Sequence, residues 1–163
     1  MGDLSVLAIG SRAPRAELQS AFGAGTVAVP GEGPTILGFF KASCPTCQWV
    51  LPWIERYHLA ASHVGLRVVG VAEDEPDAAR ELATAHGVTF PFGVEPAPWA
   101  LSESYGLASV PTFFLVDEVG VVRMTSVGFA RDDLVQALER AAEVRGVSAP
   151  RPFPDDLPAF RPG

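Results

Sequence analysis

Phe39-Phe40-Lys41-Ala42-Ser43-Cys44-Pro45-Thr46-Cys47-Gln48 holds both cysteines of the chain, separated by two residues, and the rest of the sequence can be read as its mount. Upstream, Pro34-Thr35-Ile36-Leu37-Gly38-Phe39-Phe40 is an almost unbroken apolar run of strand length, the pattern of a strand covered on both faces. Downstream, residues 48–60 read as a helix with Pro52 in its second turn. The cysteines therefore stand at a strand-to-helix junction. A cysteine at a helix entrance meets the positive end of the backbone dipole and unpaired amide N–H groups, both of which favour thiolate over thiol. Two thiols so close in sequence also form a disulfide with little loop entropy to lose. The arrangement suits dithiol–disulfide exchange, with Cys44 exposed at the entrance and Cys47, about one turn further in, sheltered behind it.

Other uses of two cysteines are weaker. A closed zinc site needs four ligands, and His58, His63 and His86 do not follow Cys47 at finger-like spacing. Inert burial suits Cys47 better than Cys44, whose neighbours Ser43 and Pro45 belong to a turn.

The 163 residues are enough for one domain with a sizeable core, and 48% hydrophobic against 19% charged residues describes a globular chain. A net charge of −7, with no basic run, gives no support to nucleic-acid binding. Met1–Gly10 has no positively charged leader region, and no segment is long enough to span a bilayer, so the expected location is cytoplasmic. In a reducing compartment a lone Cys-x-x-Cys is catalytic more often than structural.

Along the chain, Arg15-Ala16-Glu17-Leu18 reads as a short extended entry and Thr26-Val27-Ala28-Val29 as a strand closed by Pro30-Gly31. After the core strand 34–40 and the helix 45–63, Leu66–Ala72 is a β-branched run that predicts a neighbouring parallel strand. Pro76 opens a helix over Asp77–His86 and Gly87 closes it. A short strand or an extended piece is expected over Val88–Phe92 and a short helix over Pro98–Tyr105. Ser109–Asp117 and Val121–Val127 should pair as an antiparallel hairpin, followed by a last helix from Arg131 to Arg145. These elements make a domain over residues 1–149 and leave a proline-rich tail over 150–163, where Pro150, Pro152, Pro154, Pro158 and Pro162 exclude a regular helix. Two readings of the tail stand: a frayed end, or a strap whose Phe153, Leu157 and Phe160 lie over an apolar groove on this domain or a partner's.

The order of elements, with Cys44-Pro45-Thr46-Cys47 after the first core strand and Val110-Pro111-Thr112 before a later one, resembles the thioredoxin superfamily. Pro52 matches the proline that bends that family's active-site helix, and Pro111 matches its cis-proline, at the kind of bond where a cis peptide costs little. The long gap from Cys47 to Pro111, Gly10-x-x-Ala13-Pro14 and Tyr105-Gly106-Leu107 look like the TlpA or redoxin (AhpC/TSA-like) branch, over about residues 8–145. The resemblance implies an α/β, thioredoxin-like fold: a central mixed sheet flanked by helices, with an added helix–strand insertion between the Cys-x-x-Cys helix and the cis-proline strand. It implies a thiol–disulfide oxidoreductase acting on a protein disulfide or dithiol or on a small thiol, with no metal or organic cofactor and an unassigned oligomeric state. Cys44 and Cys47 would exchange electrons, Pro111 would shape the groove, and Pro45, Thr46 and Val110 would meet the substrate.

The departures matter. Ser43 replaces the usual tryptophan, Gly38 replaces the buried acid of many thioredoxins, and Val50 stands where some TlpA-like proteins carry an acid. Glu73, at the C-terminal end of the next strand, is the nearest acid by topology, either as a helper of Cys47 or as a solvated carboxylate. Lys41 lies at the same sheet edge, either stabilising a thiolate or screened by water. A peroxidase reading meets Lys41 and Leu37 where peroxiredoxins have Thr or Ser and a proline. A copper-carrier reading has the thiolates that suit Cu(I), and lacks a histidine near Pro111.

Overall fold

The computed structural model describes residues 5–163. The expectation drawn from Met1–Gly10 rests in part on residues 1–4, which lie outside the described residues. A seven-stranded mixed sheet is built from β1 (Ala16–Ser20), β2 (Thr26–Val29), β3 (Thr35–Phe40), β4 (Arg67–Ala72), β5 (Phe92–Val94), β6 (Thr112–Val116) and β7 (Val122–Val127), in the order β2-β1-β5-β4-β3-β6-β7. The helices are α1 (Pro45–Ser62), α2 (Pro76–Ala85), α3 (Ala100–Ser104) and α4 (Arg131–Arg145). β3 lies between β4, which runs parallel to it, and β6, which runs antiparallel.

Every residue of β3 is buried, as its unbroken apolar run requires, and successive side chains go to opposite faces. Ile36 and Phe40 join the core under α1, α2 and α4, while Leu37 and Phe39 pack on the other face with Leu101 and Tyr105. In α1, Cys47, Val50, Leu51, Ile54, Tyr57 and Ala61 form the helical stripe that faces the first core. The Tyr57 hydroxyl ties α1 to α4 by donating to the Leu134 carbonyl at 2.7 Å.

Gly38 and Gly70 are opposite one another in β3 and β4, and both make room for rings. A Cβ on Gly38 would come within 2.8 Å of the Phe40 ring and 3.1 Å of the Phe113 ring. One on Gly70 would come within 2.5 Å of the Phe92 ring and 2.9 Å of the Phe90 ring.

Two expectations need correction. Of the strand or extended piece expected over Val88–Phe92, only Phe92 belongs to a strand, β5 at Phe92–Val94: Phe90 is buried as a core anchor outside the ladder, and Pro91 accepts from the Gly70 N–H but has no N–H to donate. The entry segment does more than lead in. β1 pairs antiparallel with both β2 and β5 and so attaches a hairpin to the sheet edge.

The tail is a strap on its own domain. Phe153 stacks on Tyr57 and meets Phe129 edge-on, Leu157 is buried, and β9 (Phe160–Arg161) pairs antiparallel with β8 (Phe129–Ala130). No helix among the described residues is long and apolar enough to cross a membrane.

Candidate active site

Cys44 is the N-cap of α1, in an extended conformation, with Pro45 at the first helical position. Its sulfur accepts from the Cys47 N–H at 3.1 Å, so the unpaired amide of the first turn points at the thiol. Cys44 is half-buried, Cys47 is fully buried, and both are free thiols. The entrance loop is pinned from three sides. The Cys44 N–H donates to the Lys41 carbonyl, the Ala42 N–H donates to Asp74 Oδ2 at 2.8 Å, and Gln48 Nε2 donates to the Ala42 carbonyl at 2.7 Å.

Burial pushes the Cys47 thiol far above its ordinary value, and the neighbouring Cys44 thiol adds to the shift. The Glu73 charge reaches Cys47 and acts in the same direction. Glu73 is itself raised, chiefly by burial, against the lowering effects of the nearby Ser102 hydroxyl and the Lys41 ammonium. The Lys41 ammonium lies 4.5 Å above the centre of the Trp99 ring. Buried Glu95 accepts from the Leu101 and Ser102 N–H groups and the Ser102 hydroxyl, which fixes the start of α3 beside these groups.

The opposite wall is Val110–Pro111, whose peptide is cis. The Cys44 thiol donates to the Val110 carbonyl at 3.4 Å, and the Pro111 carbonyl accepts from the Gly128 N–H at 2.8 Å. Pro45, next in the chain to Cys44, is exposed. Thr46 is buried, and its hydroxyl donates to the Pro162 carbonyl at 2.7 Å. The structure thus gathers Cys44, Cys47, Pro45, Thr46, Val110 and Pro111, with Glu73 close enough to act on Cys47 and with Lys41 reaching the pair through Glu73.

Asp74, Gly128 and the tail residues Pro162 and Gly163 were not picked out from the sequence. Asp74 was visible only as one of three acids in a row, with nothing to show which of them would turn inward. Among the described residues, no group of three or more Cys, His, Asp or Glu is placed to hold a metal ion.

Fold and site together define a thioredoxin-like protein with a redox-type cysteine pair at the entrance of its first helix. Residues 9–125 match the AhpC/TSA family, and the chain belongs to it. It is similar to the sporulation thiol-disulfide oxidoreductase A of Bacillus subtilis, with 27% identity over 107 residues, or 63% of this chain and 64% of that relative. It is also similar to the thiol-disulfide oxidoreductase ResA of Geobacillus thermodenitrificans, with 27% identity over 138 residues, or 83% and 79% of the two chains. The match therefore spans just under two thirds of the first relative's length and more of the second's. Among solved structures, a candidate thiol:disulfide interchange protein DsbE from Chlorobium tepidum superposes with a TM-score of 0.72 at 26% identity, covering 85% of this chain and 97% of that one. The thioredoxin domain of a Bacteroides vulgatus thiol-disulfide oxidoreductase shares the fold with a TM-score of 0.73 at 21% identity, covering 82% and 97%.

Proposed function

We propose that the protein is a thiol–disulfide oxidoreductase that exchanges the Cys44–Cys47 dithiol or disulfide with a protein partner. The observation that carries this reading is the asymmetry of the pair: a half-buried sulfur held at the helix entrance by the Cys47 N–H, and a fully buried thiol directly behind it. In the reducing direction, the Cys44 thiolate attacks one sulfur of a partner disulfide. That S–S bond breaks, the partner's other sulfur leaves as thiolate, and a mixed disulfide forms. Cys47 then loses its proton and attacks Cys44 Sγ. The Cys44–Cys47 bond forms, the partner's second thiolate leaves, and two electrons have passed to the partner. The oxidising direction is the same sequence reversed.

Burial keeps Cys47 protonated, so the second step needs a base, and Glu73 is the carboxylate whose charge reaches it. Its raised value makes it a better proton acceptor than an exposed carboxylate. Lys41 tunes Glu73, while Val110, Pro111, Pro45 and Thr46 form the surface on which the partner's segment lies. Peroxidase chemistry is the weaker reading within this family, because Lys41 stands where a hydroxyl should orient the peroxide and its ammonium is directed onto Trp99.

The test is a Cys47→Ser trap. That variant should accumulate a mixed disulfide through Cys44 and stop there, whereas Cys44→Ser should form none and lose at least about a thousandfold in turnover of a model disulfide. Adduct formation through Cys47, or unchanged turnover in Cys44→Ser, would overturn the assignment.

A further inference from the structure

The strap crosses the mouth of the site. Its first half is an anchor. Phe153 packs on Tyr57 and Phe129, Leu157 is buried, and the Arg131 guanidinium donates to the Leu157 carbonyl at 2.7 Å. Beyond Pro158 the chain turns to the cysteines. The Ala159 carbonyl accepts from the Arg131 N–H at 2.9 Å, and Phe160–Arg161 pairs with Phe129–Ala130. The Arg161 guanidinium lies 4.8 Å from the centre of the Trp49 ring. The Pro162 carbonyl then accepts from Thr46 between the two cysteines, and Gly163 lies against the Val110 carbonyl, to which the Cys44 thiol also donates.

We infer that Ala159–Gly163 is an internal competitor for the partner-binding groove, which an incoming extended segment must displace before its disulfide can reach Cys44. The inference rests on the exchange function proposed above and adds a condition on partner access. Two features point to a fitted occupant. A Cβ on Gly163 would overlap the Val110 carbonyl oxygen, and one on Gly128 would come within 2.9 Å of the Arg161 carbonyl, so the close approach requires glycine at both contacts. The contacts inside the groove also come from the strap's backbone, through the Pro162 carbonyl on Thr46 and Gly163 against Val110, which a partner's backbone can supply equally well.

Displacement is feasible because this half of the strap is thinly held. Phe160 is 56% exposed, and the pairing is two residues long. The groove should therefore be available for only a fraction of the time, and apparent affinity for a partner falls by that fraction.

The test compares the full chain with Gly163→Val, which cannot seat against Val110, and Arg161→Ala, which removes the cation above Trp49 without touching the groove. With both cysteines reduced, the alkylation rate of Cys44 by a bulky maleimide is measured against that by iodoacetamide, followed by turnover of insulin disulfides. We expect the maleimide-to-iodoacetamide rate ratio, and kcat/KM on insulin, to rise about fivefold in Gly163→Val and by a smaller factor in Arg161→Ala. Variants with native circular dichroism and melting that show an unchanged or lower ratio would overturn the inference. Should Gly163→Val fail to fold, Arg161→Ala decides by the same criterion. If the alkylation ratio rises but no form of the protein reduces insulin or traps a partner, the exchange function fails while the cover over Cys44 stands. If the wild type reduces insulin and neither variant gains in either measurement, only the competitor fails.

Discussion

The floor of the site and its cover are built from different materials. The floor is the start of α1, where Cys47, Val50, Leu51 and Ile54 are completely buried under β3 and the entrance loop is tied to Asp74 and Gln48. The cover is residues 159–163, which hold their place by a two-residue ladder, a backbone hydrogen bond from Arg131 to Ala159, one hydroxyl hydrogen bond and one half-buried cation on a ring. Burial fixes the floor and sets the protonation of its inner thiol, whereas each contact of the cover is a modest interaction that a competing segment can replace. Chemistry that depends on sub-ångström placement belongs on the first, and access control belongs on the second.

The sharpest test of how far that contrast extends back along the strap, into its anchoring half, is stability. Phe40 is fully buried among Phe92, Phe113 and the α1 stripe, so Phe40→Ala should cost about 3–5 kcal/mol by chemical denaturation. Phe153 is half-buried in the strap, and Phe153→Ala should cost about 1–2 kcal/mol. Equal losses would mean that the strap is as much a part of the core as β3.

Next in size is Gly38→Asp, which would restore the acid that this chain lacks under its cysteines. The new Cβ would press into the Phe40 and Phe113 rings, and the substitution should destabilise the protein by about 1–3 kcal/mol from overpacking alone, before the cost of burying a carboxylate. It should not speed release of the mixed disulfide. A stable variant with faster release would show that the floor tolerates the change and that Glu73 is dispensable.

Much of the floor was legible because its signals are local. The unbroken apolar run before Cys44, the proline-to-glycine bounds of α2 and the Cys-x-x-Cys spacing each depend on residues within a few positions of one another. The strap's path was not. β9 pairs with β8 across about thirty residues of chain through a ladder too short to show a period, and a run of prolines looks the same whether it frays or docks. Phe153, Leu157 and Phe160 suggested an apolar groove, yet Phe160 is exposed, and the contacts that matter at the cysteines are a proline carbonyl and a glycine. The misplaced strand at Val88–Phe92 has a similar origin, since a hydrophobic anchor such as Phe90 and a ladder residue look identical in a short apolar run.

A smaller effect distinguishes the two regions by pH. Burial raises Glu73, so its ionised form is disfavoured in the folded state. That cost is absent below the ordinary carboxylate value and complete above the raised one, and stability falls as pH rises through the window between them. Glu73→Gln should therefore melt higher than the wild type at neutral pH and alike in acid, while releasing the mixed disulfide more slowly. Variants at Arg161 should show neither pattern. A Glu73→Gln protein with unchanged release would remove Glu73 from the chemistry and leave it as part of the wall.

The smallest effect concerns Lys41, whose ammonium is shared between the Trp99 ring and Glu73. Its charge lowers Glu73 against the effect of burial, so Lys41→Met should raise that carboxylate further. The acid limb of mixed-disulfide release should move to higher pH with it. A partly exposed cation on a ring is worth about 0.5–1 kcal/mol, and the melting temperature should barely change. Alkylation of Cys44 at neutral pH should change by less than about twofold, because the Cys44 sulfur is held by the Cys47 N–H and the Val110 carbonyl and receives no contact from Lys41. A tenfold fall in alkylation, relieved by salt in the wild type alone, would instead place the ammonium on the thiolate itself, making Lys41 part of the floor rather than its outer wall.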